Sequence, residues 1–308
     1  MRYLYNLDMP AILNSGLEAV RAIQTIHSPF LDTFFRAVTS LGDAEAYIFI
    51  LPLLFWCIDT RLGAHAGLLF LVSSYAGNSL KDLWQVPRPY TLDPSVKLGQ
   101  ADGYSLPSYH ALEAVVMWGF FAVWVKRWWF WVLAIAMMLL IGFSRIYLGV
   151  HYPVDILAAY AFGGLFLAAY YFGRETIERT LRGLAFSWQI ILSLAGPLFL
   201  AVLNPDFDVI LILSALSGFS VGLAFLGRSI SYDAGGPFWQ RVARYIVGVM
   251  VIAILYLVPR FIPGTPVWLG EVFRYVGYWL TGWWISFGGP WFFLRLGLAS
   301  KVKEEANA

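Results

Sequence analysis

Apolar residues run through this chain in long blocks separated by short polar or basic stretches. Most blocks are about 15–22 residues, close to what a tilted helix needs to cross about 30 Å of hydrocarbon. They fall near residues 44–58, 63–80, 109–125, 128–143, 152–173, 184–203, 207–227, 245–259 and 272–293. Residues 10–40 read differently. Glu18, Arg21, His27, Asp32 and Arg36 are interspersed with apolar positions, the pattern of an amphipathic helix lying in the interface. Tryptophans and tyrosines often fall near the predicted helix ends, where an aromatic belt belongs. The predicted fold class is all-α: a polytopic membrane helical bundle of about nine transmembrane helices behind an N-terminal interfacial helix.

Composition supports the same class. Hydrophobic residues make up 59% of the 308 and charged residues 13%, with a mean hydropathy of +0.67. A soluble domain averages about 25% charged residues. A net charge of +2 gives no electrostatic footprint for nucleic acid, and the single Cys57 excludes an intramolecular disulfide. No cleavable signal peptide is expected, because Asp8, Pro10 and Asn14 interrupt the place for its apolar core. The basic stretch Arg174–Arg182 is the best internal boundary. It gives an interfacial segment at 1–43, a catalytic helical core at 44–175 and additional transmembrane helices at 176–308. In the rear part, Gly235-Gly236-Pro237 and Gly288-Gly289-Pro290 look like a repeated helix-hairpin end. Counting Lys and Arg in alternate loops gives twelve on one side (Arg61 to Lys303) and six on the other (Arg2 to Arg274, including Arg260). The positive-inside rule puts the larger set in the cytoplasm.

Against this apolar background three polar fragments need an explanation: Lys81-x6-Arg88-Pro89, Pro107-Ser108-Tyr109-His110, and Ser144-Arg145-x5-His151-x3-Asp155. They supply three cations, two histidines and a carboxylate. A dianionic phosphoryl group needs fixed positive charge, a nucleophile and an acid for the leaving group. All three fragments lie at helix ends on the side opposite the larger basic set, the periplasmic or lumenal face of an inner, plasma or endomembrane. Lys81 and Arg88 can grip phosphate oxygens from two directions, Arg88 through a bidentate fork. Taken alone, they also fit a snorkelling lysine and an interfacial arginine. Ser108 precedes a helix, where backbone amides make an anion site, although a serine there is often a simple cap.

The motif order resembles the type 2 phosphatidic acid phosphatase superfamily, over roughly residues 40–173. Tyr109 departs from the glycine usual at its position. The resemblance implies Lys81, Arg88, Ser108, Tyr109 and Arg145 around the phosphate, with His110 as general acid. It implies His151 as the nucleophile of a phosphohistidine intermediate and Asp155, one helical turn on, fixing its tautomer. Glu113 and Asp82 stand where they could tune His110 and Lys81. No cofactor and no metal are expected, since the four histidines are scattered and three cations can stabilise the transition-state charge. The stretches Leu80-Lys81-Asp82 and Tyr104-Ser105-Leu106-Pro107-Ser108-Tyr109-His110-Ala111 look most like the sphingosine-1-phosphate phosphatase branch, which also carries helices after the catalytic core. The implied activity is metal-independent hydrolysis of a lipid phosphomonoester, of the sphingoid-base phosphate or phosphatidic acid kind. Polyprenyl diphosphate hydrolysis, phosphoryl transfer to a lipid, and a transporter or scaffold with a vestigial site are the alternatives.

Overall fold

A computed structural model describes residues 9–257 and 266–302, and every extended element among them is helical. Asp8 and the loop cations Arg2, Arg260 and Lys303 lie outside the described residues. The helices are α1 (Met9–Gln24), α2 (Pro29–Ser40), α3 (Ala44–Cys57), α4 (Thr60–Trp84), the short α5 (Pro89–Leu92), α6 (Tyr109–Val125), α7 (Trp128–Tyr147), α8 (Pro153–Gly183), α9 (Phe186–Leu203), α10 (Phe207–Ser229), α11 (Phe238–Leu257), α12 (Val267–Trp283) and α13 (Gly289–Arg295). Among the described residues, each of the nine apolar blocks falls largely on helix. Five described helices (α7 to α11) are long and apolar enough to cross a membrane, and α2 with α3, bent by 46° at their break, would make a sixth. Nine spans are therefore not reached by length and composition: α6 is shorter, and the last block is divided among α12, a π-helical segment at Trp284–Gly288, and α13.

The chain forms two compact units, residues 1–46 with 73–174, and residues 47–72 with 175–308. The amphipathic segment thus groups with the residues that carry the three motifs, and 47–72 groups with the rear helices. In the first unit the segment is two helices. Ser28 caps α2 through its side chain, with Pro29 at the first helical position, where a missing N–H costs nothing. Phe35 of α2 packs with Tyr147, Leu148 and Val150, and Gln24 donates to the carbonyls of Val96 and Tyr147, both at 2.8 Å. Arg21 reaches Asp93 at 2.7 Å. Two helices that read as surface-lying are thereby held against the loops of the motif region.

The second unit is built around Phe55, Trp56, Phe219, Tyr232, Ile252 and Phe293. Arg244, which the loop count treats as a solvated cation, is completely buried there. It donates to the Tyr232 hydroxyl at 3.0 Å and to the carbonyls of Asp233, Ala234 and Gly235. The two Gly-Gly-Pro stretches are not a repeat in structure. Gly235-Gly236 lie in a loop, with Gly236 at φ +103°, whereas Gly288-Gly289-Pro290 join the π segment to α13 without leaving the helix.

Candidate active site

The three motifs occupy the end of α4, the start of α6, and the junction of α7 with α8. Successive antiparallel helices bring these ends together, so residues far apart in sequence share one buried site. Lys81, Arg88, Ser108, Arg145, His151 and Asp155 are all buried.

His151 sits in the turn between α7 and α8, just before Pro153, which opens α8. Its Nδ1 lies 3.2 Å from Oδ2 of Asp155 and its Nε2 lies 3.1 Å from Nη1 of Arg88. A guanidinium only donates. Nε2 must therefore be the acceptor and Nδ1 the protonated nitrogen, which gives its proton to Asp155. Burial first, then the charges of Arg88, Lys81 and Arg145, hold the His151 imidazolium well below its ordinary pKa of 6.5. The ring is neutral, with its lone pair on the nitrogen away from the carboxylate. The turn before it depends on Gly149 at φ +70°, where a Cβ would come within 1.8 Å of the Val96 carbonyl oxygen.

Asp155 is held by three partners. Oδ2 accepts from the Tyr152 amide at 2.8 Å, from the Ser105 hydroxyl and from His151. Ser105 escaped the sequence reading as a site residue, although it stands inside the stretch that carries the branch resemblance.

Arg88 departs from expectation. A guanidinium has five N–H donors, and Arg88 directs Nε to Gly103 O at 2.9 Å, Nη2 to Asp102 O at 2.6 Å, and Nη1 to both Val150 O at 2.9 Å and His151. Its fork holds the protein together, and burial lowers its pKa from the ordinary value. Arg145 keeps more of its capacity: Nη1 donates to Thr39 Oγ1 at 2.7 Å, while Nε is buried with no hydrogen-bond partner among the described residues. Lys81, in the last turn of α4, is near enough to Arg88, Arg145 and Asp155 to interact with their charges.

Ser108 occupies the N-cap position of α6, yet its side chain makes no capping bond and its buried Oγ has no partner among the described residues. Its amide donates to Asp155 O at 3.2 Å. The simple-cap reading of Ser108 therefore fails here. An unpartnered hydroxyl, an unpartnered guanidinium N–H and a lysine in one buried region form a donor set suited to an oxyanion. His110 follows on α6, and its Nε2 is hydrogen-bonded to Asp43 Oδ1, from the break between α2 and α3.

The remaining sequence candidates stand further off. The Tyr109 hydroxyl is 3.1 Å from Ser74 Oγ on α4. Glu113 is fully buried and accepts from Ser73 and Ser74, with 3.0–3.1 Å contacts. These bonds tie α6 to α4. Asp82 is half-buried beside Lys81 and interacts with its charge. Among the described residues, no three His, Cys, Asp or Glu side chains are grouped to hold a metal ion. Thr39, Asp43 and Ser105 are the additions that sequence reasoning lacked. Asp43 reads as an acid at a helix start, and Thr39 as one more residue of an amphipathic face.

Comparison with known proteins gives matches in two stretches of the chain. Residues 62–178, which contain all three motifs, match the PAP2 superfamily, and residues 210–301 match the PAP2 superfamily phosphatase transmembrane extension. The lipid phosphate phosphatase delta of Arabidopsis thaliana is 31% identical over 180 residues, covering 53% of this chain and 43% of that protein. A probable sphingosine-1-phosphate phosphatase of Dictyostelium discoideum is 27% identical over 167 residues, 50% of this chain and 39% of that protein. The chain thus spans less than half the length of these two relatives. Among solved structures, the first transmembrane PAP2 type phosphatidylglycerolphosphate phosphatase from Bacillus subtilis superposes with a TM-score of 0.47 at 24% identity, over 54% of this chain and 88% of that one. With its motif-bearing helices and its rear helices both matched, the chain is an integral membrane protein that carries a PAP2 superfamily domain together with that superfamily's transmembrane extension.

Proposed function

We propose that this protein is a lipid-phosphate phosphatase that hydrolyses a phosphomonoester through a phosphohistidine intermediate without a metal ion. The observation that carries this reading is the state of His151. Arg88 on Nε2 and Asp155 on Nδ1 define a neutral ring with an in-plane lone pair, held by a carboxylate that stabilises the positive charge developing on attack. A substrate phosphate would take its donors from Lys81, Arg145 Nε, Ser108 Oγ and the amides at the start of α6. As Nε2 bonds to phosphorus, the P–O bond to the lipid alkoxide breaks, and His110 supplies the leaving oxygen with a proton. Water then attacks the phosphohistidine, releasing inorganic phosphate and restoring the ring. The substrate class, a sphingoid-base phosphate or a phosphatidic-acid-like lipid, is favoured by the activities for which the relatives are named. The basic-loop asymmetry supports a site on the non-cytoplasmic face.

Phosphate release by purified protein from a panel of lipid monophosphates and diphosphates, with and without chelator, tests the proposal. Turnover of monoesters is expected to persist in chelator, to be blocked by vanadate as a five-coordinate mimic, and to fall by about 10⁴-fold or more in His151→Ala, as removal of a nucleophile does. Activity retained in that variant would overturn the mechanism, as loss in chelator would overturn metal independence. Exclusive release from diphosphates, or transfer to a lipid acceptor without free phosphate, would replace the substrate class or the reaction.

A further inference from the structure

The break between α2 and α3 brings an acid onto the second catalytic histidine. Asp43 Oδ1 meets His110 Nε2 in a short hydrogen bond. The Asp43 side chain is 37% exposed and that of His110 16%. The backbone is close there as well: a Cβ on Gly42 would lie 3.4 Å from both Cβ and Cδ2 of His110 and 3.0 Å from Ile141. Four residues earlier, Thr39 accepts from Arg145. The same bend thus touches two members of the site, both in the first unit.

We infer that Asp43 is a positioning residue for the general acid, fixing which nitrogen of His110 delivers the proton. The inference rests on the phosphatase reading above. With Nε2–H given to the Asp43 carboxylate, Nδ1 is the nitrogen left for the substrate. In the first step the Nδ1 proton passes to the leaving alkoxide as its bond to phosphorus breaks and the bond from His151 Nε2 forms. Asp43 stays ionised, and His110 becomes neutral with its Nε2–H still held. Nδ1 then carries the lone pair, so the same atom takes a proton from the attacking water in the second step. Each histidine is thereby paired with one carboxylate on the nitrogen that does not react: Asp155 on Nδ1 of His151, Asp43 on Nε2 of His110. Without Asp43 the neutral ring could place its proton on either nitrogen, and the imidazolium would lose a counter-charge.

The test uses the full-length protein and two phosphomonoesters, a long-chain alkyl phosphate and a nitrophenyl phosphate. The first leaves as a strongly basic alkoxide; the second needs little protonation. Asp43→Asn is expected to lower kcat on the alkyl ester by about 10²-fold, within the range of general acid catalysis, and on the aryl ester by only a few-fold. Asp43→Glu should recover part of the alkyl activity, and KM should change little in either variant. His110→Ala is the reference and should show the same selective loss, larger in size. Equal losses on the two esters in Asp43→Asn, with His110→Ala selective, would overturn this role of Asp43 and leave the phosphatase reading intact. Loss of selectivity in His110→Ala, or a wild-type protein that cleaves neither ester, would overturn the phosphatase reading and this inference with it.

Discussion

At Arg88 every guanidinium nitrogen is hydrogen-bonded to a backbone carbonyl. Lys-x6-Arg-Pro reads as a phosphate clamp, but four of the guanidinium bonds go to Gly103, Asp102, Val150 and His151. Its larger effects are to fix two loops and, with burial, to keep the His151 ring neutral. Because the shift of His151 is downward, the active, unprotonated ring persists as pH falls past 6.5 and is lost only well below it. In kcat/KM, which reports the free enzyme, the acid limb from His151 therefore lies well below 6.5. Arg88→Gln removes the largest of the charges that oppose protonation, so the limb should move up toward 6.5 while the rate falls by about 10²-fold or more. A pH–rate series on both proteins checks this, and an unmoved limb would show that burial alone sets the ring. The motif residues were legible because their chemistry is rare in apolar sequence. Asp43, Thr39 and Ser105 were not, because an acid, a threonine and a serine near helix ends have ordinary local explanations.

At the scale of elements, the helices were largely visible in the apolar blocks, and their ends in the breaks between them. The α7–α8 junction shows why placement needed more. Four residues, from Leu148 to His151, carry a left-handed glycine, a buried valine whose carbonyl serves Arg88, and the histidine of the third motif. Leu98 and Gly99 lay their amides on Leu148 O at 3.1 and 3.0 Å, closing the loop after α5 onto this turn. Gly149→Ala adds a Cβ where Val96 O already stands, in a conformation that disfavours any side chain. It is expected to cost about 2–3 kcal/mol, seen as a lower melting temperature in detergent, and to reduce kcat by displacing His151. The amphipathic period of residues 10–40 marks an apolar stripe, yet periodicity does not say which surface covers it. Here that surface is the motif unit itself, through Phe35 and Gln24.

Across the whole molecule, membrane character and the motif set are legible in the sequence, whereas the division into units follows tertiary contacts that cut helices α3, α4 and α8 between two bodies. No compositional seam marks residues 47–72 as partners of the rear helices. In that second unit Arg244 replaces a solvated loop cation by a buried one saturated with carbonyls. Arg244→Met should leave those carbonyls unpaired and destabilise the unit by about 3 kcal/mol or more. Thermal unfolding followed by tryptophan fluorescence measures this, and an unchanged transition would mean that water replaces the bonds. The bend at Asp43 has a consequence in biosynthetic time. Its partner His110 is 67 residues later, Thr39 waits 106 residues for Arg145, and Arg88 63 residues for His151. Pairings of such separation form after their segments have been made and inserted, because loop closure must precede them. The nascent chain therefore holds the first motif residues before it holds their site, which assembles only when the last of the motif helices joins the first.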